Sequence, residues 1–293
     1  MRRILIIGCG DVALRTIPHL TRNYRVYALV RNRAYCARLS ALGVTPVIGD
    51  LDNRKSLARI KGLADMVLHF APPSPQEETD TRTQNLLSVL ATGICPKRLV
   101  YISTSGVYGD CAGRKVTETQ TLNPASLRGK LRVDAERKIR CWARACCVNA
   151  SILRVPGIYA QDRLPVERLK MGSPAIAENE DSYSNHIHAD DLARIAVAAL
   201  QRGKPCRVYH ATDDDEMKMG DYFDTVADAF YLPHPPRLSR AEVKNTVSPM
   251  MWSFMNESRR LSNTRMKREL KVFLRYPTLM YFLTRMDLAK LGS

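Results

Sequence analysis

The chain has 293 residues, 45% of them apolar, and 45 Lys/Arg against 29 Asp/Glu give a formal net charge of +16. That length supports one large core or two modest ones. No apolar run approaches the roughly 18 residues that cross a bilayer, and no low-complexity segment suggests disorder. The expectation is a soluble, cytoplasmic globular protein with no membrane partner. Eight cysteines occur without a CxxC pair or a His–Cys cluster at zinc spacing, so reduced thiols and no metal site are expected.

Taken in chain order, short β-branched runs alternate with helical stretches, the pattern of a parallel sheet covered on both faces. Strands are expected at Arg3–Ile7, Arg25–Val30, 45–48, 66–70, 99–102, 149–153 and 207–211. Helices are expected at 12–20, 34–42, 55–60, 81–91, 131–145 and 191–200. The opening MRRILIIGCGD carries only a four-residue apolar run before Gly-Cys-Gly-Asp, which reads as a buried first strand rather than a signal peptide.

That strand runs straight into a Gly-x-Gly-x-x-Ala motif, the fingerprint of a dinucleotide site when a helix follows. Gly8 permits the tight turn, Gly10 lets the backbone approach a pyrophosphate, and Ala13 allows close helix–sheet packing. The amides of Asp11 and Val12 lie at a helix N-terminus, where the dipole favours phosphate. An NAD site usually carries an acid at the end of the second strand. RVYALVRNR instead places Arg31 and Arg33 there, which suits a 2′-phosphate and favours NADP over NAD. The alternative is two exposed arginines on a basic protein.

Asp50 and Leu51 end the third strand, and Asp50 either accepts a hydrogen bond from the adenine amino group or caps the helix that begins near Asn53. HFAPPSP closes the fourth strand. It puts Phe70, Ala71 and Pro72 beside the nicotinamide-side ribose, or else it is simply a stiff turn. The fifth strand breaks into VYISTSGVYGD, which exposes Ser103, Thr104 and Ser105 at the carboxyl edge, where open α/β sheets bind ligands.

After Gly157 the texture changes. Residues 161–184 are loop-rich, and 216–293 are helical, Met-rich and punctuated by PHPP. The fold expected is α/β: a Rossmann-type doubly wound parallel sheet with a smaller, mostly helical C-terminal domain. Residues 1–160 form the NAD(P)-binding domain, 185–212 return to the sheet, and 161–293 form a substrate-binding region. From Arg237 to Ser293 there are 12 Lys/Arg and 4 Asp/Glu, read either as a solvated helical surface or as an electropositive rim for an anionic partner. Aromatics are not interleaved with these charges, which argues against nucleic acid.

Together GCGDVA, VIGDLD, HFAPP, VYISTSGVYGD, LRVPGIY and NHIHADDLA resemble the extended short-chain dehydrogenase/reductases, and most of all their atypical epimerase/dehydratase-like group. The resemblance covers nearly the whole chain. It implies an NAD(P) coenzyme, a small anionic substrate that includes sugar nucleotides, and a homodimer. It also puts Thr104 at the catalytic Ser/Thr, with Ser103 and Ser105 as alternatives, and Pro156 at the nicotinamide pocket. NHIHADD resembles the strand that returns to the active site. His186 and His188 alternate there, so one of them faces the cleft, while Asp190 or Asp191 caps the next helix.

The family's Tyr-x-x-x-Lys pair is incomplete. NPASLRGKLRVDAE can be registered with Ser126 and Lys130, or with Arg128 and Arg132, at the two positions, and no tyrosine occurs between Gly109 and Ile158. Lys130 is the catalytic lysine expected in the first register. The two readings are an NADP-dependent oxidoreductase, epimerase or dehydratase with altered acid–base groups, and a non-catalytic NADP-binding sensor.

Overall fold

The structure is a computed structural model that describes residues 1–286. Strands β1 (Arg3–Ile7), β2 (Arg25–Val30), β3 (Val44–Ile48), β4 (Met66–His69), β5 (Arg98–Thr104) and β6 (Asn149–Val155) alternate with helices α1 (Asp11–Leu20), α2 (Tyr35–Ala41), α3 (Thr81–Leu90) and α4 (Leu127–Ala145). A short parallel pair follows, β7 (Gly157–Tyr159) beside β8 (His186–His188), and then α5 (Ala189–Arg202) and β9 (Arg207–His210). Every pairing in the main sheet is parallel, in the order β9-β6-β5-β4-β1-β2-β3. The reversal of strand order between β1 and β4 opens a crevice at the carboxyl ends of the strands, where such sheets bind ligands.

Burial on both faces explains the nearly continuous apolar strands. In β1, Ile4 and Ile6 join the cluster under α1 and α5, while Leu5 and Ile7 join the one under α3 and α4. A third cluster, built around Tyr159, Leu169, Phe223 and Val226, lies in the C-terminal half with α6 (Met219–Ala229).

Three boundaries differ from expectation in ways that matter for the site. Helix α4 begins four residues earlier than its apolar periodicity suggests, because the Ser126 hydroxyl accepts the Gly129 N–H at 3.1 Å and caps it. Gly129 would discourage a helix on propensity alone. Its missing side chain is what lets α4 approach the turn after β5, since a Cβ there would stand 2.8 Å from the Gly106 carbonyl. Helix α5 begins at Ala189, and its cap is neither Asp190 nor Asp191: the His188 Nδ1 accepts the Asp190 N–H at 3.2 Å. The 3-10 helix Arg54–Ile60 is capped by Asn53, not Asp50.

The basic C-terminal run is largely neutralised by acids from elsewhere in the chain. Arg260 meets Glu216 at 3.4 Å, Arg265 meets Glu118 at 3.4 Å, and Lys267 meets Asp214 at 2.5 Å. Of the two readings of this run, a solvated surface and an electropositive rim, these ion pairs count against the rim at three positions. Among the described residues, no helix is long and apolar enough to cross a membrane.

Candidate functional site

The crossover from β1 to α1 is shaped by backbone constraints. Gly8 has φ +91°, and a Cβ there would lie 2.5 Å from the Ala71 nitrogen, so no other residue fits without moving the loop after β4. That loop is fastened in turn, because the Phe70 and Ala71 N–H groups both donate to the Ile7 carbonyl, at 2.7 and 3.0 Å. A Cβ at Gly10 would meet nothing within 4 Å. The glycine keeps open the space over the α1 N-terminus, which suits a pyrophosphate. Ala13 is buried and Val12 packs against the core beneath.

Beside this turn lies a cavity of about 340 Å³, lined by Gly8, Arg31, Asn32, Tyr35, Asp50, Leu51, Ala71 and Arg82 among others. Arg31 is exposed on its wall; Arg33 is exposed but does not line it. The Asp50 carboxylate accepts the Asp52 N–H at 3.0 Å and keeps acceptor capacity toward the cavity. Arg82 grips Asp52 with two bonds of 2.7 Å, which hold that carboxyl below its usual pKa, with Arg31 adding to the effect. Asp11 sits in the first turn of α1, but Arg15 at 2.9 Å and Arg163 at 3.3 Å offset its charge. The groove thus has the shape and donors an adenine dinucleotide needs.

A second cavity, of about 430 Å³, opens at the ends of β5 and β6. Thr104 lines it, and the Thr104 hydroxyl caps the turn Ser105–Tyr108 by accepting the Gly106 N–H at 3.2 Å. Ser105, Pro156 and His186 share the wall. Arg128, from the first turn of α4, faces the same space, with its guanidinium 4.3 Å from the Phe254 ring. Desolvation and the neighbouring Arg132 and Arg259 cations pull its pKa below the usual guanidinium value. Arg259 reaches in from the C-terminal half, donating to the Gly109 carbonyl at 2.8 Å and pairing with Glu257 at 2.7 Å.

Several expected site residues lie elsewhere. Lys130 is exposed and lines none of these cavities; two positions from Arg128, it points around the opposite side of the helix. Of the other register, Arg128 reaches the Thr104 cavity and Arg132 does not. Arg132 turns back onto β5, donating to the Tyr101 hydroxyl at 2.8 Å and to the Ile102 carbonyl. Ser103 is buried and donates to Glu136 at 2.7 Å, so its hydroxyl serves the interior rather than a ligand. Pro72 and Phe70 flank the nucleotide groove without lining it.

Below Thr104 lies a buried polar network. Arg154 bonds Glu136 through Nε at 3.0 Å and Nη2 at 2.7 Å, and bonds the Tyr108 hydroxyl at 2.6 Å. Tyr108 in turn meets His210 Nε2 at 2.6 Å. Burial pushes the Tyr108 phenol up to about 12 and holds His210 near 3, so neither changes charge near neutrality. His186 faces the cavity stacked on Tyr222, with ring centroids 4.0 Å apart, and burial lowers its pKa to about 3. His188 faces away, against Tyr276 and Phe282, lowered to about 4 chiefly by burial. Burial also raises the Tyr222 phenol. No tyrosine stands at the head of α4.

Sequence reasoning missed Arg163, Tyr183, Tyr222, Glu257 and Arg259 in this wall. They come from segments far apart in the chain, and no local motif marks them. The residue alternation of β5 could have shown that Ser103 and Thr104 face opposite ways.

Comparison with known proteins agrees with this geometry. The NAD(P)H-binding family matches residues 8–203. A dTDP-glucose 4,6-dehydratase of Mycobacterium tuberculosis is 25% identical over 243 residues, covering 74% of this chain and 73% of that protein. A protein from Silicibacter pomeroyi described as functionally unknown and conserved superposes with a TM-score of 0.80 at 27% identity, covering 97% of each chain. A dTDP-glucose 4,6-dehydratase from Streptomyces venezuelae, solved with NAD bound, shares the fold at 20% identity and a TM-score of 0.77, over 97% of this chain and 96% of that one. With the glycine turn, the switch-point crevice and the Thr104 edge all in place, the chain belongs to the NAD(P)H-binding family and is similar to epimerase/dehydratase-like proteins of the extended short-chain dehydrogenase/reductase type.

Proposed function

We propose that the protein binds NADP and acts as an oxidoreductase or epimerase-like enzyme on a sugar nucleotide or another small anionic metabolite. The observation that carries this reading is the pairing of an open glycine turn with an arginine-walled cavity at one sheet edge. Gly10 and the first amides of α1 would hold the pyrophosphate, and Arg31 would meet the 2′-phosphate at the mouth of the adenine cavity. The coenzyme supplies hydride exchange when bound. Thr104 donates a hydrogen bond to the substrate oxygen, while Arg128 and Arg259 balance negative charge on the substrate. Arginine stays protonated, so Arg128 stabilises an oxyanion rather than shuttling a proton. The eight free thiols suit the reducing cytoplasm, and a homodimer remains part of this reading, with sedimentation velocity as its check.

The second reading, a coenzyme sensor without turnover, is favoured by the missing tyrosine on α4. Titration with NADP and NAD, followed by NADPH absorbance across a sugar-nucleotide panel, separates the two. Tight NADP binding with turnover of at least one compound supports the enzyme; tight binding without any turnover supports the sensor. Arg31→Asp should weaken NADP binding roughly tenfold, the worth of one charge-assisted pair, while NAD binding holds. Equal loss for both coenzymes removes the 2′-phosphate assignment.

A further inference from the structure

Arg128 stands between two cavities. One is the Thr104 cavity; the other, about 400 Å³, is walled by Pro72, Pro73, Pro75, Leu127, Leu131 and Met250. Arg128 and Ser253 line both. The remaining polar groups of the second cavity are already engaged: Ser126 caps α4, and Arg132 bonds Tyr101 and Ile102. Arg128 differs. Among the described residues no carboxylate lies within ion-pair distance of it, Glu257 acting on it only at longer range, and its guanidinium lies over the face of Phe254. At the rim, Met250 is 73% exposed and Leu127 51% exposed, two large apolar side chains left in water beside a concave apolar space. Small-molecule sites combine these traits: a few hundred cubic ångströms, mostly apolar walls and one well-placed polar group.

We propose that this second cavity is a subsite for the apolar arm of an amphipathic anion, whose carboxylate or phosphate head is held by Arg128 where the two cavities meet. The inference rests on reading the Thr104 cavity as the substrate site, and it narrows the substrate class to anions that carry an apolar arm. A second copy of the chain is the competing occupant, but a concave space with an unpaired cation at its inner end fits a small amphiphile better than a flat protein face.

The test is calorimetric titration of the NADP-saturated protein with decanoate, with butyrate and, separately, with uridine diphosphate. Decanoate should bind at least tenfold tighter than butyrate. Arg128→Met should weaken it about tenfold, and Met250→Asp and Leu127→Asp, both at exposed positions, should do the same without altering NADP affinity or the thermal midpoint. The inference fails if decanoate does not bind, if butyrate binds equally well, or if NADP displaces decanoate, which would make the cavity part of the coenzyme groove. It also fails if the two Asp variants only convert a dimer to a monomer. Uridine diphosphate that binds while decanoate does not would overturn this inference alone; if neither binds, the reading of the Thr104 cavity falls as well.

Discussion

The two halves of the crevice are built by different means. The nucleotide side depends on main-chain geometry: a positive-φ glycine against the Ala71 nitrogen, an open Gly10, and a helix N-terminus, all within residues 8–13 plus one loop. The Thr104 side depends on side chains gathered from β5, α4, β8, α6 and the segment near Arg259. A backbone-coded site tolerates change around it while its few glycines persist. A side-chain-coded site changes its chemistry through single substitutions, because each wall position, Arg128 included, contributes its own functional group. Divergence on this scaffold is therefore expected on the Thr104 side first.

The largest effect that would sharpen this contrast is on the buried pair under Thr104. Arg154→Met leaves buried Glu136 with Ser103 and the partly exposed Arg140 at 3.0 Å as its remaining partners, so a loss of about 3 kcal/mol, the low end for breaking a buried pair, is expected by urea unfolding. A loss under 1 kcal/mol would mean the Thr104 side does not depend on that network. On the nucleotide side, Gly10→Val should leave the thermal midpoint nearly unchanged, since its side chain enters open space, yet should abolish coenzyme binding in calorimetry. Normal binding by a folded Gly10→Val protein would break the comparison outright.

Acid should act through the buried imidazoles. His69, His186 and His210 are held near 3 and His188 near 4, each chiefly by burial. Their folded pKa values lie below the unfolded value of about 6.5, so the unfolded chain binds more protons once the pH drops below that value. Stability is then full above about pH 6.5 and declines on acidification toward 4, by up to about 1.4 kcal/mol per pH unit for each histidine. Asp213, whose carboxyl is raised well above its usual range by burial, works in the opposite sense and offsets part of one of them. A urea midpoint that stays flat from pH 7 to 5 would contradict this. The smallest effect is expected for Lys130→Ala, within about 0.5 kcal/mol in stability as for ordinary surface positions and with unchanged substrate binding. A large loss of activity would return Lys130 to the site.

The parts of this molecule legible in its sequence are those written locally. The order of strands and helices follows from apolar period and turn residues, and GCGDVA identifies the crossover because a glycine turn needs no distant partner to be recognised. The Thr104 edge was legible for the same reason. What escaped was tertiary. The early start of α4 depends on a glycine–glycine approach that propensity counts against, and the Arg259–Glu257 pair reaches a wall 150 residues away in the chain. The charge count of the C-terminal run likewise could not show that Glu118, Asp214 and Glu216 fold against Arg265, Lys267 and Arg260.

The Ser126 cap has one more consequence. By adding a turn to the start of α4, it places positions 128 and 132 on one side of the helix, a turn apart. Two guanidinium groups four positions apart thus leave one side of the helix in different directions, Arg128 to the Thr104 cavity and Arg132 onto β5. A single capping hydroxyl outside the cavity thereby decides which side chains the helix head delivers to it.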